Sequence, residues 1–430
     1  MMGPMSGYTD NHYVRTTDLG VRHAALEGET QAEVCVIGGG MAGLATALDL
    51  AERGRSVVLL ERHRVGFGAS GRNGGFVVPG YPTRPADLAA MVGLADAREL
   101  YTLTRGALAL ILRRIAEYGI DVGELVHGRL LFAMAEDGEA MAENADYMAK
   151  SFAKELQVWS PATVRQQLAT TRYSDGSLDP EAFSLDPLKL VRGTARALAS
   201  RGGRIHEDTP ATRLRRAGGR QIVLTPRGRV VCDHVVMASG GYGGMLDWKV
   251  GMATIPVPTY VMVTEPLGDN LRNIIGTKHS LADRSFATNY YRPLADGRVL
   301  WGGRVATLKT SPERMRESLH RDMAWFYPDL AKVKVDIAWG GLMPYLRHRM
   351  PMIGAIGEGR WVATGFGGLG MGITTMAGSL IAAAITEGDT RWQLFRRFGL
   401  PFAGGPIGRA PALMIYWAHQ ARGRLARRTA

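Results

Sequence analysis

The stretch EVCVIGGGMAGLATALDLAERGRSVVLLE, residues 33–61, decides the fold of this chain. Residues 33–37 form an apolar, β-branched run, and a helical pattern follows the glycines from Ala42 to Arg53. Gly54 ends that helix, and residues 56–60 are again typical of a buried strand. The pattern predicts a βαβ unit, whose parallel strands require a right-handed crossover.

The glycines between strand and helix carry the first chemical signal. Gly38, Gly40 and Gly43 have the spacing GxGxxG. The first permits a tight turn, the second lets backbone N–H groups reach a pyrophosphate, and the third lets helix and strand pack closely. Glu61 ends the next strand, where it can hydrogen-bond a ribose hydroxyl. This context predicts a dinucleotide site; a glycine-rich turn without a ligand is the alternative.

Two further glycine clusters distinguish FAD from NAD. GFGASGRNGGFV, residues 66–77, follows Glu61 closely, and GFGGLGMG, residues 365–372, precedes a helical pattern. NAD needs no second cluster at that point, whereas FAD continues its phosphates and isoalloxazine along the same surface. At the third cluster a helix dipole can stabilise negative charge on the reduced flavin. We therefore predict FAD, with a plain strand-to-helix turn as the alternative for the third cluster.

The wide separation of these clusters predicts interleaved domains in an α/β fold with an α+β second domain. The chain leaves the nucleotide fold and returns to it twice. The pattern is helical across about 88–186, and a further helix then begins at Asp186, with Pro187 at its first position. The predicted ranges are 1–88, 187–255 and 340–390 for a Rossmann FAD-binding domain, 89–186 and 256–339 for a substrate or cap domain, and 391–430 for a basic extension.

The charge of the chain does not indicate a nucleic-acid-binding protein. The net charge is +12, but only eight basic residues are lysines, and arginines occur throughout the 430 residues, as in a compositional bias. After Asp389 no acidic residue occurs, whereas eight arginines do. We interpret this tail as a solvated basic segment, with contact to a partner or an anionic membrane surface as the alternative.

The cysteine content and the first residues favour a reducing compartment. Cys35 and Cys232 cannot form a disulfide framework, and both lie in strand-like runs. The first thirty residues are polar and lack the apolar centre of a signal peptide. We expect a cytoplasmic protein. No metal-ligand spacing or nucleophile triad occurs, so no metal site is predicted.

Several motifs together resemble a known family. The chain is similar to the D-amino acid oxidase/glycine oxidase/sarcosine oxidase superfamily and, within it, to the γ-glutamylputrescine oxidoreductase branch, over residues 11–389. The resemblance implies a glutathione-reductase-like FAD domain joined to a substrate domain whose mixed sheet covers the flavin. The motifs are LEGETQAEVCVIGGGMAGL (26–44), GASGRNGG (68–75), LDPLKLVRG (185–193), VVMASGGYGG (235–244), TEPL (264–267), YYRPLADGRVLWGGR (290–304) and RHRMPMIG (347–354).

The same resemblance implies the FAD contacts. The pyrophosphate and adenosine would be held at the first cluster and at the end of the second strand, and the flavin at the later glycine clusters. The implied residues are Gly38, Gly40, Met41, Ala42, Gly43, Glu61, Arg62, Ala69, Ser70, Asn73, Gly74, Gly75, Ala211, Gly240, Gly241, Gly367, Gly368, Leu369, Gly370 and Met371.

Two departures from the superfamily pattern bear on function. Covalent members attach flavin through a Cys in the C-terminal half or a His beside the second cluster. Neither cysteine here is so placed, and the second cluster contains Arg72 but no His, so we expect non-covalent FAD. Amino-acid oxidases of the group carry an Arg before a Pro that clamps the substrate carboxylate. The corresponding residue in GGLMPYLRHRMP is Met343. An α-amino acid is therefore disfavoured, unless Arg72, Arg347 or Arg349 supplies the cation.

The implied activity is oxidation of a primary or secondary amine, with hydride transfer to flavin N5, hydrolysis of the imine to an aldehyde, and reoxidation by O₂ to hydrogen peroxide. A dehydrogenase that passes electrons from a D-amino acid or N-methyl amino acid to a membrane quinone is the alternative, because the run 411–428 could form an interfacial helix. A non-catalytic binding protein is a third. The expected substrate pocket comprises Tyr290, Tyr291, Trp301, Met343, Tyr345, Arg349 and Phe366, with at most one of the two adjacent tyrosines in direct contact.

Overall fold

The computed structural model describes residues 7–134, 141–284, 289–305, 311–405 and 407–408. The strands are β1 Gly28–Gln31, β2 Val34–Ile37, β3 Val57–Leu60, β4 Phe76–Val77, β5 Val126–Met134, β6 Gln157–Trp159, β7 Tyr173–Ser184, β8 Arg204–His206, β9 Arg213–Ala217, β10 Arg220–Leu224, β11 Gly228–Cys232, β12 His234–Met237, β13 Ile255–Thr264, β14 Ser280–Asp283, β15 Tyr290–Pro293, β16 Val299–Val305, β17 Val335–Tyr345, β18 Met352–Gly357 and β19 Arg360–Thr364. The helices are α1 His12–Thr16, α2 Met41–Glu52, α3 Pro85–Val92, α4 Leu94–Glu117, α5 Met141–Phe152, α6 Pro161–Gln167, α7 Pro187–Ser200, α8 Trp248–Ala253, α9 Asn270–Ile274, α10 Pro312–Phe326 and α11 Gly370–Glu387.

The first sheet confirms the predicted βαβ unit. Its strand order is β18-β19-β12-β2-β3-β8, and β2 lies between β3 and β12, parallel to both. All four residues of β2 and of β3 are buried, because α2, α7 and α11 cover one face of the sheet and strands β10 and β11 pack against the other. The loop from β2 to α2 therefore opens at the carboxyl edge of the sheet, where ligands bind in such folds.

The helices of this region pack tightly against one another. A Cβ atom added at Gly378 on α11 would lie 2.6 Å from the backbone nitrogen of Thr46 on α2, so the two backbones are nearly in contact. α7 begins as the sequence predicts, because the Asp186 side chain accepts hydrogen bonds from the N–H groups of Leu188 and Lys189. These helices hold the glycine clusters in fixed positions above the sheet.

A larger, mostly antiparallel sheet forms the second layer. Its order is β17-β13-β16-β15-β14-β5-β7-β4, with β6 paired to β7 and only the described pair β14–β5 parallel. One face packs on α10 through aromatic side chains that include Phe132, Trp301 and Phe326. The opposite face borders a long cavity. The mixed α/β class predicted from the sequence is confirmed.

One prediction of secondary structure is wrong. The helical pattern expected across about 88–186 holds for α4 and α5, but β5 and β7 within that range are strands. Leu130 and Phe132 of β5 lie in the aromatic core, whereas Arg129 and Leu131 face the cavity. The two faces of β5 can be distinguished only when the neighbouring strands are known. The spacing of apolar residues alone did not reveal this alternation.

A small sheet of order β1-β11-β10-β9 completes the described fold. The predicted domain ranges remain a prediction. β4 and much of β17 belong to ranges assigned to the FAD domain, and both pair within the large sheet. Only residues 391–405 and 407–408 of the predicted extension are described, so the run 411–428 lies outside the described residues.

Candidate functional site

The first glycine cluster forms a close-packed turn at the start of α2. Gly38 has φ of 114°, and a Cβ there would lie 2.7 Å from the carbonyl oxygen of Ala238. A Cβ at Gly43 would lie 1.9 Å from the carbonyl oxygen of Gly38. Side chains are therefore excluded at both positions. The N-terminus of α2 is left open toward the cavity, where backbone N–H groups and the helix dipole favour an anion.

Glu61 stands beside this turn as the sequence predicts. Its Oε2 accepts a hydrogen bond from the Gly39 N–H at 2.6 Å, and its Oε1 accepts one from the His63 N–H at 2.8 Å. Burial raises the pKa of Glu61 above its ordinary value, although both backbone donors act in the opposite direction. Each carboxylate oxygen keeps capacity for a second donor such as a ribose hydroxyl.

The second cluster, GASGRNGG, is tied directly to the first. The Met41 N–H at the start of α2 donates to Ser70 Oγ at 2.9 Å. The Asn73 amide donates to the carbonyls of Ala69 and Ser70, and its oxygen accepts from the Gly75 N–H. These bonds fix the turn so that its backbone lines the cavity immediately beyond the first cluster.

The third cluster leads into α11. Gly367 has φ of 57°, and a Cβ there would lie 2.6 Å from the ring of Pro82. Its N–H donates to the carbonyl of Pro344 at 3.0 Å, which joins this turn to the end of β17. Gly370 and Met371, at the start of α11, line the cavity. A second helix N-terminus therefore faces the same space as the first.

The three clusters line one continuous cavity of about 890 Å³. Gly43 and Gly75 are absent from its wall, because both are close-packed against backbone: a Cβ at Gly75 would lie 2.0 Å from the carbonyl of Leu185. The other residues implied for FAD all lie on the wall: Gly38, Gly40, Met41, Ala42, Glu61, Arg62, Ala69, Ser70, Asn73, Gly74, Ala211, Gly240, Gly241, Gly367, Gly368, Leu369, Gly370 and Met371. An elongated space bounded by bare backbone and two helix N-termini fits FAD.

The expected substrate pocket divides into two groups. Tyr290, Met343, Tyr345, Arg349 and Phe366 line the cavity. The side chains of Tyr290 and Tyr345 meet the glycine clusters: a Cβ added at Gly74 would lie 2.9 Å from the Tyr290 ring, and one added at Gly367 would lie 3.1 Å from the Tyr345 ring. These two tyrosines, with Phe366 inside the third cluster, therefore border the place where the flavin would end.

Tyr291 and Trp301 do not belong to this pocket, which corrects the expectation. Their rings stack at 4.3 Å in the core on the opposite face of the sheet. The Tyr291 hydroxyl lies 2.7 Å from that of Tyr327. Strand alternation sends Tyr290 and Tyr291 to opposite faces, and only the paired sheet shows which of the two faces the cavity.

The tyrosines of the pocket remain protonated at neutral pH. Burial raises the pKa of Tyr290 to about 12 and raises the pKa of Tyr345. A Cβ added at Gly368 would lie 3.5 Å from the Tyr345 hydroxyl, which places that hydroxyl beside the third cluster. The Tyr290 ring covers Gly302, where a Cβ would lie 2.2 Å from the ring. These residues can orient a ligand by hydrogen bonds, and neither is a base at neutral pH.

The arginines that could replace the missing carboxylate clamp have other partners. Arg72 donates to the carbonyls of Gly68 and Gly340 and to the Tyr242 hydroxyl. Arg347 donates to Phe402 and is absent from the cavity wall. Arg349 lines the cavity, but its guanidinium donates to the carbonyl of Pro82 at 2.9 Å. These bonds hold all three guanidiniums against other protein groups, and Met343 itself offers no cation to the cavity.

The far end of the cavity was not predicted from the sequence. Arg129 and Asp179, on the adjacent strands β5 and β7, line that end together with Tyr147 of α5. The available signal was a single charged residue inside the apolar run VHGRLLFAM, which the helical prediction obscured.

Other sites are not indicated in the part of the chain that the structure describes. There, no cluster of three or more His, Cys, Asp or Glu residues is arranged to hold a metal ion. No described helix combines the length and apolarity needed to cross a membrane. Cys35 and Cys232 are both buried and lie away from the cavity wall. His279 and His348 hydrogen-bond backbone carbonyls, as structural histidines do.

The fold and this cavity define a FAD-dependent oxidoreductase. The family model for FAD-dependent oxidoreductases, DAO, matches residues 33–384, and the chain belongs to that family. It is an enzyme that acts on CH–NH or CH–NH₂ donors.

Similar proteins cover most of the chain. It is 31% identical to "Gamma-glutamylputrescine oxidoreductase" of Escherichia coli (strain K12), over 95% of this chain and 96% of that protein. It is 27% identical to "Glycine oxidase" of Geobacillus kaustophilus, over 84% of this chain and 95% of that protein. Among solved structures, glycine oxidase from Bacillus cereus matches with a TM-score of 0.71 at 23% identity, over 84% of this chain and 97% of that one. This likeness supports the fold.

Proposed function

We propose that this enzyme oxidises a primary or secondary amine whose reacting carbon bears no carboxylate, a γ-glutamylputrescine-like amine. The observation that carries the proposal is Met343 in the cavity wall, at the position where the amino-acid oxidases that the chain resembles have an arginine. A thioether has no N–H donor and no charge, so it cannot hold a carboxylate. The relative named gamma-glutamylputrescine oxidoreductase, which covers nearly the whole chain, supports the same substrate class.

The pocket residues suit a neutral amine. Bound FAD supplies the acceptor for a hydride from the carbon that bears the nitrogen. Met343, Phe366 and the two tyrosine rings form a largely apolar wall that excludes water and disfavours the ammonium form of the substrate. Tyr290 and Tyr345 carry hydroxyls that can hold the nitrogen in place. The reaction then needs no carboxylate or imidazole base at this end.

We further propose non-covalent FAD, O₂ as the electron acceptor with hydrogen peroxide as product, and a cytoplasmic location. The cavity wall offers no cysteine in the part of the chain that the structure describes, which supports the first of these. The proposed FAD contacts are the residues named above on the wall. Contact of the basic tail with a partner or a membrane remains a prediction.

The test is anaerobic bleaching of the yellow enzyme with polyamines, γ-glutamylated amines, N-methyl amino acids and D-amino acids. We expect bleaching by γ-glutamylated amines, followed by peroxide formation when air is admitted. Bleaching by D-amino acids alone, with turnover only in the presence of a quinone, would support the alternative dehydrogenase and contradict the argument from Met343.

A further inference from the structure

The far end of the cavity contains a cluster of charged side chains that FAD binding does not use. This ion cluster consists of Arg105, Arg129, Lys154, Asp179 and Glu181, on α4, on β5, after α5 and on β7. Arg129 and Asp179 face each other across β5 and β7, and both line the cavity.

The carboxylates of the ion cluster are occupied by two of its three cations. Lys154 is fully buried, and its Nζ donates to Asp179 and lies 3.1 Å from Glu181. Arg105 binds Glu181 through two hydrogen bonds of 2.9 Å and 2.6 Å. Asp179 also accepts from the Glu181 N–H at 3.0 Å.

Arg129 is the third cation, and it makes no hydrogen bond within the described residues. It interacts with Asp179 only through its charge, and burial lowers the pKa of its guanidinium. Three cations face two carboxylates, so the ion cluster carries one unbalanced positive charge on the cavity wall. A guanidinium in that setting is stabilised by an additional anion that reaches it through the cavity.

The other arginines on the cavity wall are in different situations. Arg84 is exposed and forms an ion pair with Asp87. Arg62 and Arg284 are exposed to solvent. Arg129 is thus the inner cation of this wall that lacks a hydrogen-bonded partner in the described residues.

The sheet determines how far Arg129 lies from the flavin end. Tyr290 on β15 contacts the second glycine cluster, and β14 separates β15 from β5. Two strand spacings correspond to about 10 Å. An anion at Arg129 therefore lies too far from the flavin end to sit on the reacting carbon, as the carboxylate of an α-amino acid would.

We propose that Arg129 binds a carboxylate at the distal end of the substrate, so that the enzyme selects amines that carry a carboxylate remote from the oxidised C–N bond. This inference rests on the proposed function and names its substrate class more closely. The guanidinium can form two parallel hydrogen bonds to that carboxylate. Lys154 and Arg105 act as positioning residues, because they occupy Asp179 and Glu181 and leave Arg129 available.

The test compares two amides of 1,4-diaminobutane that differ only at one end. N-glutaryl-1,4-diaminobutane carries a terminal carboxylate, and N-pentanoyl-1,4-diaminobutane carries a methyl group in its place. Anaerobic stopped-flow bleaching of the FAD-loaded enzyme gives the reduction rate and the dissociation constant for each. We expect the wild type to favour the glutaryl amide roughly 100-fold, mainly through the dissociation constant.

The variants assign this preference to Arg129. Arg129→Met should reduce the preference below about threefold by weakening only the glutaryl amide, and Arg129→Lys should restore part of it. Arg84→Met, a change of an exposed arginine on the same wall, is the matched control and should keep the full preference. The flavin spectrum and melting temperature establish that each variant is folded, and Arg129→Lys keeps the charge should Arg129→Met fail to fold.

The outcomes separate the two proposals. Equal bleaching of the wild type by both amides, or equal weakening of both by Arg129→Met, overturns the role of Arg129 and leaves amine oxidation intact. Failure of both amides to bleach the wild type, while D-amino acids succeed, overturns the proposed function and this inference together.

Discussion

The two ends of the cavity differ in whether backbone or side chains form the wall. At the cofactor end, three glycine clusters present backbone, and the packing distances at Gly38, Gly43 and Gly367 exclude side chains. At the substrate end, the large sheet presents side chains, with Tyr290 near the flavin position and Arg129 two strands away. Backbone groups bind the cofactor, which all members of the family use. Side chains on one face of a sheet, in contrast, can be substituted one at a time.

This difference has a consequence for tolerance to mutation. A glycine in a close-packed turn cannot be replaced by another residue type, because an added Cβ atom meets backbone that cannot move away. A side chain on the cavity face of a strand can be exchanged without altering the ladder behind it. We therefore expect large losses of stability and FAD at the first end and changes of specificity at the second.

The largest expected effect is that of Gly43→Val at the cofactor end. The new side chain would begin 1.9 Å from the carbonyl of Gly38, so α2 would have to leave β2. We expect loss of bound FAD and a decrease in the free energy of unfolding of about 4 kcal/mol. Chemical denaturation and flavin absorbance measure both.

Gly106→Ala on α4 is the matched control. No atom lies within 4 Å of a Cβ added there, and helix propensity should increase the free energy of unfolding by about 0.5–1 kcal/mol. Retention of FAD and of normal stability by Gly43→Val would contradict the view that this turn tolerates no side chain.

The next largest effect is the change in the free energy of unfolding when a cation of the ion cluster is replaced. It distinguishes the structural cations from the ligand-binding one. Lys154→Met removes a buried partner of Asp179 and Glu181 and should lower the free energy of unfolding by about 3 kcal/mol. Arg129→Met removes a cation that has no hydrogen-bonded partner in the described part of the chain, and it should change the free energy of unfolding by less than about 1 kcal/mol. Denaturation of both variants without ligand makes the comparison, and equal losses would show that Arg129 is structural.

A smaller change is expected for Met343→Arg, which would make the substrate end resemble that of an amino-acid oxidase. The new guanidinium could bind a carboxylate on the reacting carbon. We expect kcat/KM for small α-amino acids to rise about tenfold, which corresponds to about 1.4 kcal/mol, and kcat/KM for amines to fall. Met343→Leu, of similar volume, should leave both unchanged. No gain with any α-amino acid would weaken the specificity argument.

The smallest expected effect is that of Tyr290→Phe on the pH profile. The reactive amine is neutral above its own pKa, so the reduction rate should rise with pH. Tyr290 keeps its proton below its pKa of about 12, so it should cause no decline below about pH 11. Tyr290→Phe should lower the rate less than about threefold at every pH. A much larger loss, or disappearance of the rising limb, would indicate that Tyr290 acts as the base.

The sequence was informative where chemistry depends on local spacing. GxGxxG, the acid at Glu61 and the cap at Asp186 each follow from residues within one turn or one βαβ unit, and the structure places each as expected. It was misleading over β5 and β7, because strands that pair with distant segments need no local signature. Tyr291 and Trp301 were misplaced for a related reason, since alternation defines two faces but does not say which one borders the cavity.

By itself, the sequence determined the nucleotide fold, its cofactor and the presence of Met rather than Arg at position 343. Glycine spacing and residue identity are local properties of a chain. Only the tertiary structure decided which face of the large sheet meets the flavin and that Arg129 has no hydrogen-bonded carboxylate among the described residues. Those outcomes depend on strand register and on pairs such as Lys154 with Asp179, which join residues far apart in the chain. Long-range pairing is a property of the packed whole, and no window of sequence contains it.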